Sequence, residues 1–424
     1  MQRKTDVVVI GGGLAGLMAA LTTARAGRST LVLERGEAFG GRAQTQDWNG
    51  FHLNLGGHAL YKAGPGYALL RDLNLLPEGA EPKPKGLTLR EGRLNLLPVG
   101  PLSMLSTGLL SWKEKRAFLS LMGRLSKADL REAADLTCRQ WLERHVSDPR
   151  LRQVMDATLR TNAYAGDLNR LRASTALRRM QQSQKGVFYV HGGWARLVER
   201  LARAAEAAGA ALKGGQAVAG VEAHGEARLV RTKSGDTYEA SEVILALPPA
   251  ETLDLLPSPA ASRLRAVLGE ARAVTVSCLD LCLSRLPNHA VNLGLGIDAP
   301  LFMVAQSEAA HIAPEGAALV HLVRYHEGRP GEEPAAMRSQ LEAFMDRLQP
   351  GWRKVLLHAR FLPSAPVASV LDEPGRRRPV SEDLGLPGVH LAGDWVGEVG
   401  WLADASLASG HRAGLAAAAM AACA

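Results

Sequence analysis

The chain has 424 residues, of which 46% are hydrophobic and 22% charged, the composition of a soluble globular protein long enough for two domains. Its 50 Lys and Arg against 42 Asp and Glu give a net charge of +8. No long Lys/Arg run with interleaved aromatics accompanies that charge, which excludes nucleic acid as a partner and leaves an Arg-rich surface, or attraction to anionic lipid or an acidic ligand.

Cys138, Cys278, Cys282 and Cys423 form no C-x-x-C pair and have no His at metal-ligand spacing, so we expect a reducing compartment, the cytoplasm, and no metal site. The stretch MQRKTDVVVIGGGLAGLMAALTTA mimics a signal peptide, but Asp6 and the glycines break it. No uninterrupted apolar segment is long enough to span a membrane.

Residues 7–10 (VVVI) read as a strand buried on both faces. Gly11, Gly13 and Gly16 then give G-x-G-x-x-G, residues 14–26 have helical composition, and 31–33 form a second strand capped by Glu34. This is a βαβ dinucleotide unit with its acidic residue in register. Gly11 permits the tight turn, Gly13 lets the backbone approach a pyrophosphate, and Gly16 lets helix and strand pack closely. The helix N-terminus offers free N–H groups to phosphate, and Glu34 can accept both ribose hydroxyls. The unit alone leaves NAD and FAD open.

The next residues, Glu34 and Arg35 through the loop Gly40-Gly41-Arg42, resemble a second motif of the flavin amine oxidase, phytoene desaturase and protoporphyrinogen oxidase superfamily of FAD-dependent oxidoreductases. The resemblance implies FAD, with Gly40 and Gly41 close to its pyrophosphate and Arg42 supplying charge-assisted bonds. It extends nearly end to end. GFHLNLGG (50–57) reads as a half-buried strand with Phe51, Leu53 and Leu55 on its apolar face, ending in a turn at Gly56 and Gly57. In the family this turn comes against the flavin ring, and His58, Tyr61 and Lys62 follow it as a polar rim or a solvent loop.

Residues 76 to about 185 read as short amphipathic helices, a helical cap in which 95–125, with Trp112 and Phe118, would pack on the core or touch a membrane. Residues 190–212 (VHGGWARLVERLARAAEAAGAAL) start a long helix at Gly192-Gly193 and end it at Gly209. Strands over 217–223 and 229–250 follow. By resemblance they complete the FAD domain, with backbone near Val218 on the adenine. Segments TVSCLDLCLS, LFMVAQ and ALVHLVRY should build the sheet of the substrate domain, where His321, Arg324 and Tyr325 would contact substrate or serve the fold. No lysine stands between Lys233 and Lys354, whereas many flavin amine oxidases carry one here to hold a water at flavin N5.

GVHLAGDWVGEVGWLADASLASGHRAG (388–414) is similar to the superfamily's C-terminal signature. The resemblance places Gly393 beside the flavin, Asp394 on the ribityl chain, and the backbone of Trp401 and Leu402 at the flavin N1–C2=O edge, where a helix dipole favours the reduced form. The expected fold is α/β: a Rossmann-like FAD domain of the GR2 type (1–75, 188–250, 375–424) interleaved with an α+β substrate domain of mixed sheet and helical cap (76–187, 251–374). A second βαβ fingerprint is absent, so oxygen or a quinone would take the electrons. The expected activity is hydride transfer from a C–H bond of a largely apolar, carotenoid- or tetrapyrrole-like small molecule to flavin N5, with His58, Tyr61, His191 and Trp401 as candidate catalytic residues. The protein would be cytoplasmic, with the inner membrane face as a possible surface. Alternatives are an amine or amino-acid oxidase with Trp395 and Trp401 walling the flavin, a redox-neutral isomerase, and a non-catalytic prenyl-binding protein.

Overall fold

The computed structural model describes residues 2–328 and 331–420; Cys423 lies outside them. The opening βαβ forms as its sequence dictates. Strand Gln2–Ile10 pairs in parallel with Thr30–Leu33 on one side and with Thr237–Leu245 on the other. Helix Leu14–Arg25 connects the first two, and its residues 14–24 are all buried, in keeping with its largely apolar sequence. Strand Ala211–Lys213 extends one edge in parallel, Val389–Leu391 joins Thr237–Leu245 in parallel, and Val218–His224 and Ala227–Thr232 add an antiparallel meander.

Two helices cover one face by approaching very closely. Helix Ala403–Met420 crosses Leu14–Arg25 so tightly that a Cβ on Gly410 would lie 2.2 Å from the Ala15 carbonyl oxygen. Gly414 is similarly constrained, 2.8 Å from the Ala19 carbonyl oxygen. These glycines set the helix that follows the C-terminal signature directly over the first helix, and so bring the chain's two fingerprints together.

A second seven-stranded sheet is mixed. Its order is Leu356–Ala368, Val274–Leu283, Ala318–Tyr325, Leu301–Ala305, Leu293–Gly296, Gly86–Arg90 and Arg93–Leu96. The three strands read from sequence stand at its centre. Two features were not expected. Residues 86–96 fold as a hairpin on this sheet rather than as helix, turning at Glu91 and Gly92, both left-handed. The thirteen-residue strand Leu356–Ala368 contains Pro363 and Pro366 and pairs on one side only, with Val274–Leu283, through a shifted register. The rest of the insertion is helical, as expected: Pro101–Ser106, Trp112–Leu125, Cys138–His145, Pro149–Ala163 and Ala173–Ser183. Its core is continuous with the second sheet through Leu109, Leu121, Trp141, Met155, Leu177 and Cys278.

Candidate active site

One cavity of ≈ 2210 Å³ runs between the two sheets. A single drug-sized ligand takes roughly 300–1,000 Å³, so the space accommodates a dinucleotide and a substrate together.

Its nucleotide end is lined by Gly11, Gly13, Glu34, Arg35, Gly40, Gly41 and Val218. Each glycine of the fingerprint has its own constraint. Gly11 has φ +102°, and a Cβ there would strike the Ala246 carbonyl at 2.6 Å. A Cβ on Gly16 would lie 1.9 Å from the Gly11 carbonyl oxygen, so Gly16 serves strand–helix packing and does not line the cavity. Gly13 differs. Its backbone is extended (φ −76°) and the nearest atom to a Cβ would be 4.0 Å away, so the space above it is open. It is the N-cap of the first helix, no side chain caps it, and the first turn carries no acid. The helix therefore presents uncompensated N–H groups to the cavity, as an anion seat requires.

Glu34 is fixed by backbone: its carboxylate accepts from Gly12 N–H at 2.6 Å and Gly36 N–H at 3.0 Å. Each oxygen keeps acceptor capacity for a ribose hydroxyl. Arg35 pairs with Glu251 at the rim. Farther along, the buried Gln216 Oε1 has no partner, beside Val218 on the same wall. An open phosphate seat, a fixed ribose acceptor and an unused amide oxygen fit FAD.

The middle of the cavity is where the two fingerprints meet. Arg42 gives Nη2 to Asp394 Oδ1 at 2.7 Å and Nη1 to Asp394 Oδ2 at 2.9 Å, and Nη1 also reaches the Val367 carbonyl. Ser369 fills the remaining acceptor positions of Asp394 through its N–H at 2.8 Å and its hydroxyl at 2.7 Å. Burial pushes the Asp394 carboxyl up, but Arg42 and Ser369 outweigh it and hold it below the usual range. Arg42 thus bonds Asp394 rather than standing free for a pyrophosphate, and Asp394 is saturated by protein donors. Gly393 lines the cavity, and its N–H is held by Ser409. Leu402, also on the wall, has φ +56°, strain that a bulky residue rarely carries and that concentrates at functional sites.

The turn at Gly56 (φ +88°) and Gly57 lines the next stretch, with His58 and Tyr61. Leu55 departs from the expected buried face: it is 36% exposed and lines the cavity, while Asn54 is buried and holds Trp194 N–H at 2.9 Å. His58 Nδ1 faces the Gly56 carbonyl at 3.0 Å. Burial lowers the His58 pKa and keeps the ring neutral near pH 7.

Other candidates stand elsewhere. His191 is not on the cavity wall; it stacks on His311 at 4.1 Å and accepts from His311 N–H. Trp401 is buried in the core with its indole N–H on the Ala163 carbonyl. Trp395 borders the cavity but is fully buried, with its N–H on Leu247, so the two tryptophans make no aromatic wall. Lys62 pairs with Glu81 off the wall. Arg324 pairs with Glu332 off the wall, and Tyr325 is buried behind it. His321 is wholly buried, bonded to Asp280, whose other oxygen takes Arg360; Arg360 in turn holds the Asn54 carbonyl and so fixes the strand leading to the Gly56 turn. Sequence reasoning missed Arg179, Asp404, Thr161 and Tyr164, all on the wall. Arg179 and Asp404 meet only because helices far apart in sequence pack together.

The family model for flavin containing amine oxidoreductases matches residues 14–418. The chain belongs to this family. It is an FAD-dependent oxidoreductase of the flavin-containing amine oxidoreductase family, and the fold agrees. An oxidoreductase from Methanosarcina mazei superposes with a TM-score of 0.78 at 19% identity, covering 96% of this chain and 99% of that one. Cyclohexylamine oxidase from Brevibacterium oxydans superposes with a TM-score of 0.72 at 16% identity, covering 98% and 99%. Identity is higher over short stretches. These include putrescine oxidase of Kocuria rosea (48% over 54 residues, 13% of this chain) and carotenoid 3,4-desaturase of Haloarcula japonica (45% over 51, 12%). The two stretches span 11% and 10% of those relatives' own lengths.

Proposed function

We propose that this family member oxidises a C–H bond of a largely apolar small molecule, with FAD as the hydride acceptor and oxygen or a quinone as the final acceptor. The observation that carries this reading is the wall beyond the Gly56 turn: Leu109, Phe118, Met122, Val154, Leu295 and Phe302. Such a wall binds by apolar burial and offers little to a hydrated cation. His58 stands on the wall directly after the turn and is the candidate base for a proton on the neighbouring carbon.

Amine oxidation is the second reading, favoured by the family and by the putrescine oxidase stretch. Two features weigh against it. The carboxylates at the substrate end already accept hydrogen bonds from the protein, Asp404 from Arg179 and Gly66 N–H and Glu308 from His289. Among the described lining residues the lysine is Lys233, beside Gln216 and Val218.

The mouth suits delivery from lipid. Leu96, Val99, Leu102, Leu105, Trp112 and Leu119 are exposed in one segment, Lys113 and Arg116 are exposed beside them, and Val99 also lines the cavity. No helix among the described residues is long and apolar enough to cross a membrane. The test is anaerobic flavin bleaching with a polyene, a reduced tetrapyrrole and an amine panel, the apolar compounds given both in detergent and in anionic vesicles. An apolar compound should bleach the flavin and amines should not, and Leu102→Ser with Trp112→Ser should slow bleaching from vesicles alone. Bleaching by amines only would overturn the reading.

A further inference from the structure

The apolar wall ends in a polar one, and this sharpens the substrate class of the reading above, on which the inference rests. Two cavity-lining residues carry a buried polar atom with no partner: Arg179 Nε on helix Ala173–Ser183 and Tyr164 Oη at the end of helix Pro149–Ala163. Native proteins keep few such groups, and an acceptor supplied by a ligand resolves them.

Arg179 is 4% exposed. It gives Nη1 to Asp404 at 2.6 Å and to Gln182 at 3.1 Å, and its guanidinium lies 3.5 Å over the Tyr61 ring. Tyr61 donates its hydroxyl to the Asn162 carbonyl at 3.2 Å, which ties Arg179 to the turn carrying Thr161 and Tyr164. Asp404 therefore meets the guanidinium through Nη1, and Nε has no hydrogen-bond partner. A planar fork with a free side is the shape that a carboxylate engages with both oxygens.

Tyr164 supplies a second, independent observation. It closes its helix with φ +55°, a conformation costly for a bulky side chain, and its hydroxyl lies 3.4 Å from where a Cβ on Gly57 would sit. Burial raises its pKa, so the hydroxyl stays a donor.

We propose that this wall seats the carboxylate of an otherwise apolar substrate, with Arg179 as its cation and the Tyr164 hydroxyl as a further donor on the same wall. The substrate is then an apolar acid, not a bare hydrocarbon and not an amine.

The test uses the FAD-loaded protein and two fluorescent probes with the same ring and chain, pyrenebutyrate and pyrenebutanol, followed by anisotropy. The acid should bind at least about tenfold tighter than the alcohol. The double variant Arg179→Gln, Asp404→Asn, which keeps the net charge of the pair, should bring the acid to the alcohol's affinity and leave the alcohol unchanged. Tyr164→Phe should narrow the preference. An acid preference that survives loss of Arg179 overturns the assignment. If the double variant does not fold, the native protein decides: equal affinity for both probes overturns the acid seat while sparing the apolar reading, and binding of neither overturns both.

Discussion

Gly13→Leu should give a folded, colourless protein. The backbone at Gly13 is extended and any residue adopts it, and the nearest atom to a Cβ there is 4.0 Å away. The fold therefore tolerates the side chain, which projects into the space over the first helix N-terminus where the pyrophosphate would lie. Flavin absorbance per protein should fall to background while circular dichroism stays native. A variant that remains yellow would show that the phosphates sit elsewhere. Gly16 offers no such separation, because its Cβ would press on the Gly11 carbonyl and disturb strand and helix together.

Arg42→Ala should cost about 3 kcal/mol of stability at neutral pH. The figure is at the low end of the range for breaking a buried pair, because the Arg42 side chain is 36% exposed while Asp394 is 2% exposed. The loss comes from stranding the Asp394 carboxylate, with only Ser369 to hold it. Its pH dependence has a definite sign. Asp394 is held below the usual carboxylate range in the folded protein, so the pair's contribution is present above the unfolded value of about 4 and is lost as pH falls through the folded value. In the variant, burial is less opposed, so Asp394 takes up its proton more readily. The gap between native and variant should be widest near pH 7 and close below about pH 4. Denaturant titrations at several pH values measure this, and a gap that is constant with pH would contradict the role given to Asp394.

That pair shows where sequence reading ends. Residues 7–34 were legible because the glycines, the strand periodicity and Glu34 act locally. The signature at 388–414 was legible for the same reason. The bond between Arg42 and Asp394 was not, because it joins residues 352 apart and depends on helix Ala403–Met420 lying on Leu14–Arg25. Trp401 is a candidate from its place before a helix; its indole lies in the core on the Ala163 carbonyl, while Leu402 beside it lines the cavity. The hairpin at 86–96 did carry a signal, a Glu-Gly turn between alternating leucines, masked by the helical composition downstream. The edge strand Leu356–Ala368 was hidden by its prolines. Tyr164 and Arg179 became visible only as buried atoms without partners.

The absorption spectrum of the purified protein, with the mass of the cofactor released on heating, tests the central claim most directly. Flavin bands and the mass of FAD in proportion to protein are the predicted result. A protein that shows no flavin bands, and gains none when FAD is supplied, would contradict the account from the Gly13 seat to the substrate wall.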